Sequence, residues 1–131
     1  MKVRKEITVA LENAPDRLGH LCGCIADRKL NILGVSVVDS KDMCLVRIVV
    51  DKPAVLEKML KDNCPMTVSV CEVLELNVPN KPGMLAQLAA KLGKKRVNIE
   101  YVYGSASGRG KSTIFLRPSS ITRARPLLRG M

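Results

Sequence analysis

Two short turns contain the residues of this chain whose chemistry best suits a small charged ligand. One holds Asn13 and Pro15, the other holds Asn80 and Pro82, and each leads from an alternating segment into an apolar helical stripe. A helix that begins at such a turn leaves backbone N–H groups free, and these groups attract a carboxylate. An Asn side chain both donates and accepts, so it can face a group that carries an ammonium and a carboxylate. In the alternative interpretation, each Asn only caps the helix and each Pro only makes the turn.

Further side chains accompany each turn at matching positions. Asn31 and Asn98 enter the strand that follows each helix. The two turns therefore predict equivalent sites in two equivalent parts of the chain. The apolar walls expected beside these sites are Leu18 and Ile32 in one part and Leu85 and Ile99 in the other.

A repeat with an offset of 67 residues explains this pairing. Without a gap, the offset aligns residues 12–18 with residues 79–85 and residues 30–32 with residues 97–99. Identical Asn, Pro, Leu and Ile residues recur in register along these segments. The sequence therefore contains two copies of one structural unit.

Copy one predicts the element order β-α-β-β-α-β, which is the ferredoxin-like unit. Alternating residues predict strands that are half buried, and apolar residues at i, i+3, i+4 and i+7 predict helices with one buried face. Strands are expected at Ile7–Leu11, Ile32–Val38, Cys44–Val50 and Met66–Cys71, one helix from the Pro15 turn to Ile25, and another from Pro53 to about Asn63-Cys64-Pro65.

Copy two repeats the early elements and then departs from the pattern. The position that would match Thr67 lies beyond Met131, so the fourth strand is missing, and Pro126 interrupts the segment that would form the second helix. An unpaired edge is therefore expected on the strand Leu74–Val78, which favours a homodimer. The basic tail Arg117–Met131 either covers this edge or stays disordered. The other predicted elements are a helix at Gly83–Lys95 and a hairpin of Asn98–Gly104 and Ser112–Arg117 around the loop Ser105–Lys111.

Together the two copies predict an α+β fold with two ferredoxin-like units side by side, antiparallel sheets and the helices on one face. The units are residues 1–71 and 72–131, and the second lacks its last strand. Residues 66–78 keep one apolar parity, so strand four of copy one is expected to run into strand one of copy two near Glu72. A unit of this size buries only about 60% of its chain surface and is marginal alone, so a shared interface is expected.

Composition places the chain among folded proteins and raises one competing function. The 131 residues are 47% hydrophobic and 26% charged, no run reaches the roughly 18–20 apolar residues that span a bilayer, and no signal-peptide pattern is present. We therefore expect a cytoplasmic location and no membrane partner. Most of the net charge of +10 lies in residues 66–131, with 11 basic and 3 acidic residues. This surplus suits a nucleic acid or an acidic protein, which is the alternative function.

Other site chemistries fail on specific residues. The segment Gly110-Lys111-Ser112 resembles the end of a phosphate loop, but Ser105 stands where that motif needs Gly, and a strand follows instead of a helix. A single histidine, His20, cannot build a catalytic set. The five cysteines are odd in number, and Cys22 and Cys24 have C-x-C instead of C-x-x-C spacing, so the cysteines are expected to be small buried hydrophobes. The stacking aromatics of RNA-binding sheets are missing from copy one and from strand Leu74–Val78. We therefore expect no enzymatic activity, no cofactor and no metal.

One family has this combination of turn, helix and strand. The pattern Asn80-Lys81-Pro82-Gly83-Met84-Leu85, then a helix, then Val97-Asn98-Ile99, resembles the ACT domain, an amino-acid-binding regulatory module found beside many metabolic enzymes. Copy one shows a weaker form, Asn13-Ala14-Pro15-Asp16-Arg17-Leu18 with Leu30-Asn31-Ile32. The segment Asn98-Ile99-Glu100-Tyr101 is similar to one in the second half of small tandem ACT proteins. The resemblance covers residues 5 to about 125 and implies a stand-alone regulatory protein without catalytic activity, with a metabolic enzyme as a partner.

The resemblance also implies ligand sites at the turn after strand one and at the start of strand two, where two units meet. Asp16 stands where the family usually has Gly, so the Gly83 turn is the better candidate. There we expect backbone N–H groups to bind the carboxylate of a free amino acid and Asn98 to face its ammonium, with an aliphatic or aromatic side chain favoured. The implied site residues are Asn80, Pro82, Gly83, Met84, Leu85, Asn98 and Ile99 in copy two, and Asn13, Pro15, Asp16, Arg17, Leu18, Asn31 and Ile32 in copy one.

Overall fold

The computed structural model describes residues 1–63, 67–106 and 108–131. Cys64, Pro65, Met66 and Ser107, which the sequence places at a helix end, a strand start and a hairpin loop, lie outside the described residues. In the described part of the chain, every helix is too short or too polar to cross a bilayer. The elements are β1 (Lys2–Glu12), α1 (Arg17–Asp27), β2 (Ile32–Asp39), β3 (Met43–Val50), α2 (Pro53–Asn63), β4 (Thr67–Pro79), α3 (Met84–Gly93), β5 (Ile99–Ala106), β6 (Lys111–Pro118) and α4 (Ile121–Leu127).

Two compact units divide these elements. The first unit is Lys5–Cys71, and the second unit is Glu72–Met131 together with Met1–Arg4. Within the first unit the strands are hydrogen-bonded in the order β2-β3-β1-β4, which is the order that a β-α-β-β-α-β chain produces. Within the second unit the order is β1-β4-β6-β5. The predicted fold of two ferredoxin-like units is confirmed.

The core of the first unit follows from alternation on its strands and periodicity on its helices. In β1 and β3, Ile7 faces Ile48 and Val9 faces Val46 across an antiparallel ladder, so these four side chains share one face. The helices cover this face with their apolar stripes. The buried residues of the cluster are Ile7, Val9, Leu21, Ile25, Leu30, Val46, Ile48, Val50, Leu56, Met59 and Leu60.

The second unit builds an equivalent core with a shorter second helix. Ser120 caps α4 through its side chain, which accepts from the backbone N–H of Arg123 at 3.2 Å. Pro126 lies in the last turn of this seven-residue helix, so the interruption seen in the sequence shortens the helix without abolishing it. Ala124 and Leu128 are fully buried and anchor this segment, which is ordered structure and not a free tail. The buried cluster comprises Leu74, Leu76, Val78, Met84, Leu88, Leu92, Val97, Leu116, Ala124 and Leu128.

The N-terminal residues of β1 occupy the place of the missing fourth strand. Strand β4 has β1 on one side and β6 on the other, and Met1–Arg4 group with the second unit. The guanidinium of Arg4 lies 3.4 Å from the carboxylate of Glu75. The expectation that the strand containing Leu74–Val78 lies at an edge is therefore wrong, because β1 is the hydrogen-bonded neighbour of β4 on the side away from β6.

The cysteines are less buried than the sequence suggests. Cys22, Cys24, Cys44 and Cys71 are free thiols, and each is half-buried. Two of them lie near a polar partner: the sulfur of Cys71 is 3.8 Å from a carboxylate oxygen of Glu6, and the sulfur of Cys24 is 3.8 Å from Nε2 of His20. His20 itself lies on the exposed surface of its helix.

Candidate ligand site in the second unit

The turn between β4 and α3 has a backbone conformation that Gly83 makes possible. Gly83 has φ of 90°, in the left-handed region, and the N–H of Met84 reaches the carbonyl of Lys81 at 3.4 Å. Pro82 then Gly83 is the central pair that such a turn prefers. The helix begins after Gly83, so Asn80 is not its N-cap, and no side chain of the described residues caps this end. The alternative interpretation of Asn80 as a helix cap therefore fails.

A groove of about 360 Å³ lies beside the Gly83 turn in the second unit. This volume lies within the range of roughly 300–1,000 Å³ that is usual for small-molecule pockets. Asn80 and Leu85 lie on the turn side of the groove, and the opposite side is formed by β5 and β6. The described residues that line the groove are Asn80, Leu85, Val102, Tyr103, Gly104, Ser105, Ala106, Ser112 and Ile114.

Backbone geometry keeps part of the groove wall free of side-chain atoms. A Cβ at Gly104 would lie 2.2 Å from the carbonyl oxygen of Thr113, which is closer than real contacts allow. Only glycine therefore fits at this point of β5. Gly104 therefore allows β5 and β6 to approach each other closely where they border the groove.

Two of the predicted apolar residues face away from this groove. Met84 is only 9% exposed and belongs to the buried cluster of the second unit. Ile99 packs against the same cluster. Leu85, by contrast, is 50% exposed and lines the groove. The apolar wall expected from Met84, Leu85 and Ile99 is instead formed by Leu85 with residues of β5 and β6.

The structure does not bring Asn98 to Asn80. The N–H of Asn80 donates to the carbonyl of Gly110 at 2.8 Å, just before β6 begins. The N–H of Asn98 donates to the hydroxyl of Ser119 at 3.0 Å, just after β6 ends. Eight strand residues separate these two places, a distance of about 27 Å at roughly 3.4 Å per residue. One amino acid cannot contact both asparagines within this unit.

The first unit repeats this arrangement at the aligned positions. The N–H of Asn13 donates to the carbonyl of Asp42 at 2.9 Å, before β3, and the N–H of Asn31 donates to the Asp51 carboxylate at 3.0 Å, after β3. Asp16 adopts φ of 68° where the second unit has Gly83, and it forms no cap through its side chain. The remaining predicted residues differ in burial: Pro15, Arg17 and Leu18 are exposed, and Ile32 packs against the core.

The family model of the ACT domain pair matches residues 1–128 of this chain. The chain belongs to the ACT domain pair family. No curated protein matches it significantly in sequence. Among solved structures, protein BT0572 from Bacteroides thetaiotaomicron is 28% identical, with a TM-score of 0.88 over 96% of this chain and 86% of that chain.

Regulatory segments of aspartate kinases share the fold of this ACT pair at lower identity. The regulatory subunit of aspartate kinase from Thermus thermophilus is 12% identical, with a TM-score of 0.70 over 98% of this chain and 94% of that chain. A C-terminal regulatory domain assigned to the aspartate kinase of Porphyromonas gingivalis W83 is 13% identical, with a TM-score of 0.61 over 97% and 91% of the two chains. At these identities, the similarity shows a shared fold and nothing beyond it.

Sequence reasoning missed the half of the groove that β5 and β6 provide in this ACT pair. Ser105 falls in the predicted hairpin loop, and Gly104 and Ser112 are the last and first residues of the two predicted strands beside it. The repeat contained one usable signal: a helix reverses the chain direction, so a strand entered after the helix begins at the far end of the sheet. That rule separates Asn98 from Asn80 and brings the end of β5 to the turn.

Proposed function

We propose that this ACT pair is a regulatory protein that binds a free α-amino acid in the groove beside the Gly83 turn. The observation that carries the proposal is the convergence of an uncapped helix start, Asn80 and an apolar wall around one groove of about 360 Å³. Membership of the ACT family supports a small regulatory ligand, and the groove has room for one amino acid.

Each part of an amino acid has a matching group in this groove. The carboxylate accepts from the N–H groups of the first turn of α3, where the helix dipole also favours a negative charge. The ammonium donates to acceptors among Asn80, Ser105 and Ser112, since each side chain carries an oxygen. The apolar wall then faces the ligand side chain, so an aliphatic or aromatic amino acid fits better than a charged one.

Family membership also suggests the functional setting. We propose that the protein acts in the cytoplasm without catalysis of its own, and that it passes the ligand signal to a metabolic enzyme. A homodimer remains part of the proposal, although its basis changes, because β4 has neighbours on both sides. Among the described strands, β2 of the first unit and β5 of the second have a neighbour on one side only, and on β2 Val35 and Val37 are about half exposed. Edge strands of this kind invite pairing with another chain.

The repeat supplies matched controls for a binding test. A thermal-shift screen of the twenty amino acids is followed by calorimetry on Asn80→Ala and Leu85→Ala, with Asn13→Ala and Leu18→Ala as the aligned controls in the first unit. Loss of a hydrogen bond to a charged group predicts a roughly tenfold to hundredfold weaker affinity for Asn80→Ala. The controls keep wild-type affinity, and so does Asn98→Ala. Unchanged binding by both second-unit variants would place the site elsewhere.

One specific observation favours the alternative function. In the second unit, the side chain of Arg123 donates to the carbonyl of Lys95, which joins α4 to the end of α3. This contact brings two groups of exposed cations onto neighbouring segments. The cations are Lys91, Lys94, Lys95, Arg96, Arg123, Arg125 and Arg129. A surface of this charge suits a nucleic acid or an acidic protein.

Salt dependence separates the two functions. Binding of a DNA or RNA oligonucleotide to this surface would weaken steeply between about 50 and 200 mM salt, because bound counterions are released. Amino-acid binding in the groove changes little over the same range. Anisotropy titrations with labelled oligonucleotides at both salt concentrations decide the matter, and undetectable binding at the lower concentration rules out the nucleic-acid form of the alternative.

A further inference from the structure

A second cavity lies in the first unit between α1 and α2, away from the Gly83 turn. Its volume is about 430 Å³, and most of its wall is apolar. Leu11 from β1 and Leu21 from α1 form one part of this wall, and Met59 and Leu60 from α2 form the other. Leu21, Met59 and Leu60 are more than nine-tenths buried and belong to the core cluster, so the cavity reaches the hydrophobic core.

An exchange between the two copies falls at the wall of this cavity. Arg17 is aligned with Met84, and both residues are the first of their helices. Met84 is buried in the second unit, where it packs in one cluster with Val78 and Leu88. The residues aligned with those two are Leu11 and Leu21, which line the cavity of the first unit. Exposed Arg17 therefore lies at the wall of this cavity, at the position where the second unit has a buried methionine.

The lining residues that are not apolar are basic or neutral. Arg17, His20 and Arg28 lie along one side of α1, and each lines the cavity. Among the described residues, no Asp or Glu lines it. Arg17 forms an ion pair with Glu12 at 3.2 Å, but the two side chains are 58% and 64% exposed. Exposed pairs of this kind contribute little, so an incoming carboxylate competes for Arg17 at low cost.

We propose that this cavity binds a compact hydrophobic carboxylate without an ammonium group, such as an arylalkanoic or branched aliphatic acid. The apolar part enters between α1 and α2, and the carboxylate bonds to the guanidinium groups of Arg17 and Arg28. A free amino acid fits this cavity poorly, because its ammonium would face two arginines and find no carboxylate in the described lining. The ligand class therefore differs from that of the second-unit groove. A failed binding test at one site would leave the proposal for the other site unaffected.

Alkylation of Cys24 reports whether this cavity is occupied. Cys24 lines the cavity, and its sulfur lies 3.8 Å from Nε2 of His20. A ligand that fills the space between α1 and α2 covers this sulfur and slows its alkylation by iodoacetamide. Cys22, two residues earlier on the same helix, is absent from the lining and provides an internal comparison.

The test uses three probes of one shape with the intact chain. Calorimetry compares 3-phenylpropanoate, phenylalanine and 3-phenylpropan-1-ol, so that the carboxylate and the ammonium are varied separately. The variants are Arg17→Met, which restores the side chain of the other copy, and Arg28→Met. Arg109→Met is the control, because it removes one exposed positive charge that does not line the cavity. Peptide mapping by mass spectrometry follows the alkylation of Cys24 with each probe.

Arg17→Met should bind 3-phenylpropanoate roughly tenfold to hundredfold more weakly, and Arg28→Met should also lose affinity, because each removes a bond to a charged group. Arg109→Met should bind like the wild type. The acid, and neither the alcohol nor phenylalanine, should slow alkylation of Cys24. The proposal is overturned if the acid does not bind, if Arg17→Met and Arg28→Met both keep wild-type affinity, or if phenylalanine protects Cys24 equally. If Arg17→Met fails to fold, the affinity of Arg28→Met and the alkylation pattern are sufficient to support or overturn the proposal.

Discussion

The two units share a backbone plan and differ in how they use it. In both, a turn with a left-handed residue begins the first helix, and an Asn before the turn bonds to the loop between the next two strands. The left-handed position holds Asp16 in one unit and Gly83 in the other, and the next residue is exposed Arg17 in one and buried Met84 in the other. The same backbone plan therefore accepts a charged, exposed residue in one unit and an apolar, buried residue in the other at the start of this helix.

The units also differ in where their outer strand comes from. The first unit contains four strands from one continuous segment, whereas the second unit completes its set with Met1–Arg4. Its second helix is seven residues long, against eleven in the first. A copy of the repeat that lacks its last strand is thus completed by a segment that lies far away in sequence.

The largest expected effect comes from giving the second unit the arginine of the first. Met84→Arg removes a buried side chain and directs a charge toward the core, so it should lower the free energy of unfolding by about 3–5 kcal/mol. Urea denaturation followed by circular dichroism measures the change. Leu85→Arg, one residue along and half exposed, is the control and should cost about 0.5 kcal/mol or less. Equal costs for the two variants would contradict the burial difference.

Truncation tests the contribution of Met1–Arg4, the part of β1 that groups with the second unit. Deletion of Met1–Arg4 removes strand hydrogen bonds, the packing of Val3 against the second core and the Arg4–Glu75 ion pair. We expect a loss of about 2–4 kcal/mol and faster hydrogen exchange in Leu74–Val78. Val3→Ala keeps the backbone pairing and should cost about 1 kcal/mol. A deletion that costs no more than Val3→Ala would show that the backbone of this segment contributes nothing.

Exchange of the left-handed residues should give smaller effects of opposite sign. Asp16→Gly relieves a positive φ and should stabilise the first unit by about 1 kcal/mol, and Gly83→Asp should destabilise the second by a similar amount. A Cβ at Gly83 meets no described atom within 4 Å, so only the backbone contribution is expected. Gly23, inside α1 with the same free space, provides the control. Gly23→Ala should stabilise, and a destabilising result there would undermine the interpretation of the Gly83 result.

The smallest effect is expected from filling the first cavity. Arg17→Met adds apolar contacts where the second unit has Met84, and it should raise the unfolding free energy by about 0.5–1 kcal/mol. Glu12→Gln loses the same exposed ion pair without filling the space, so it should change the stability by no more than about 0.5 kcal/mol. Denaturation curves of the two variants, recorded side by side, sharpen the comparison. A destabilised Arg17→Met would show that the cavity does not accept this side chain.

Much of the fold was predictable because the 67-residue repeat and the apolar patterns agree. The strand from Met66 to Val78 was expected as a junction near Glu72, and the structure has one 13-residue strand over Thr67–Pro79. The extension of β1 to Lys2 was not predictable, because Lys2–Lys5 carry almost no apolar residues and their pairing is set by distant residues. The same holds for α4, where burial of Ala124 and Leu128 outweighs Pro126.

The candidate site was predictable in part, for a similar reason. The turn residues Asn80 and Gly83 are recognisable locally, since turn chemistry depends on neighbours in sequence. The wall from β5 and β6 depends on strand register, which local patterns do not reveal. The first-unit cavity was visible as the alignment of Arg17 with Met84, but only the structure shows that one side chain is buried and the other is exposed.

The grouping of Met1–Arg4 with the second unit also has a consequence for biosynthesis. Arg4 and Glu75 are 71 positions apart, so at roughly 5–20 residues per second the ribosome delivers the partner several seconds after the N-terminal segment. During this interval Met1–Arg4 have emerged, but the strand that they accompany has not been translated. The first unit can form while these residues wait, whereas the second unit needs residues from both sides of the first unit in sequence. If the mRNA were divided between the two repeats, the first part would encode all strands of the first unit, and the second part would encode a second unit without Met1–Arg4.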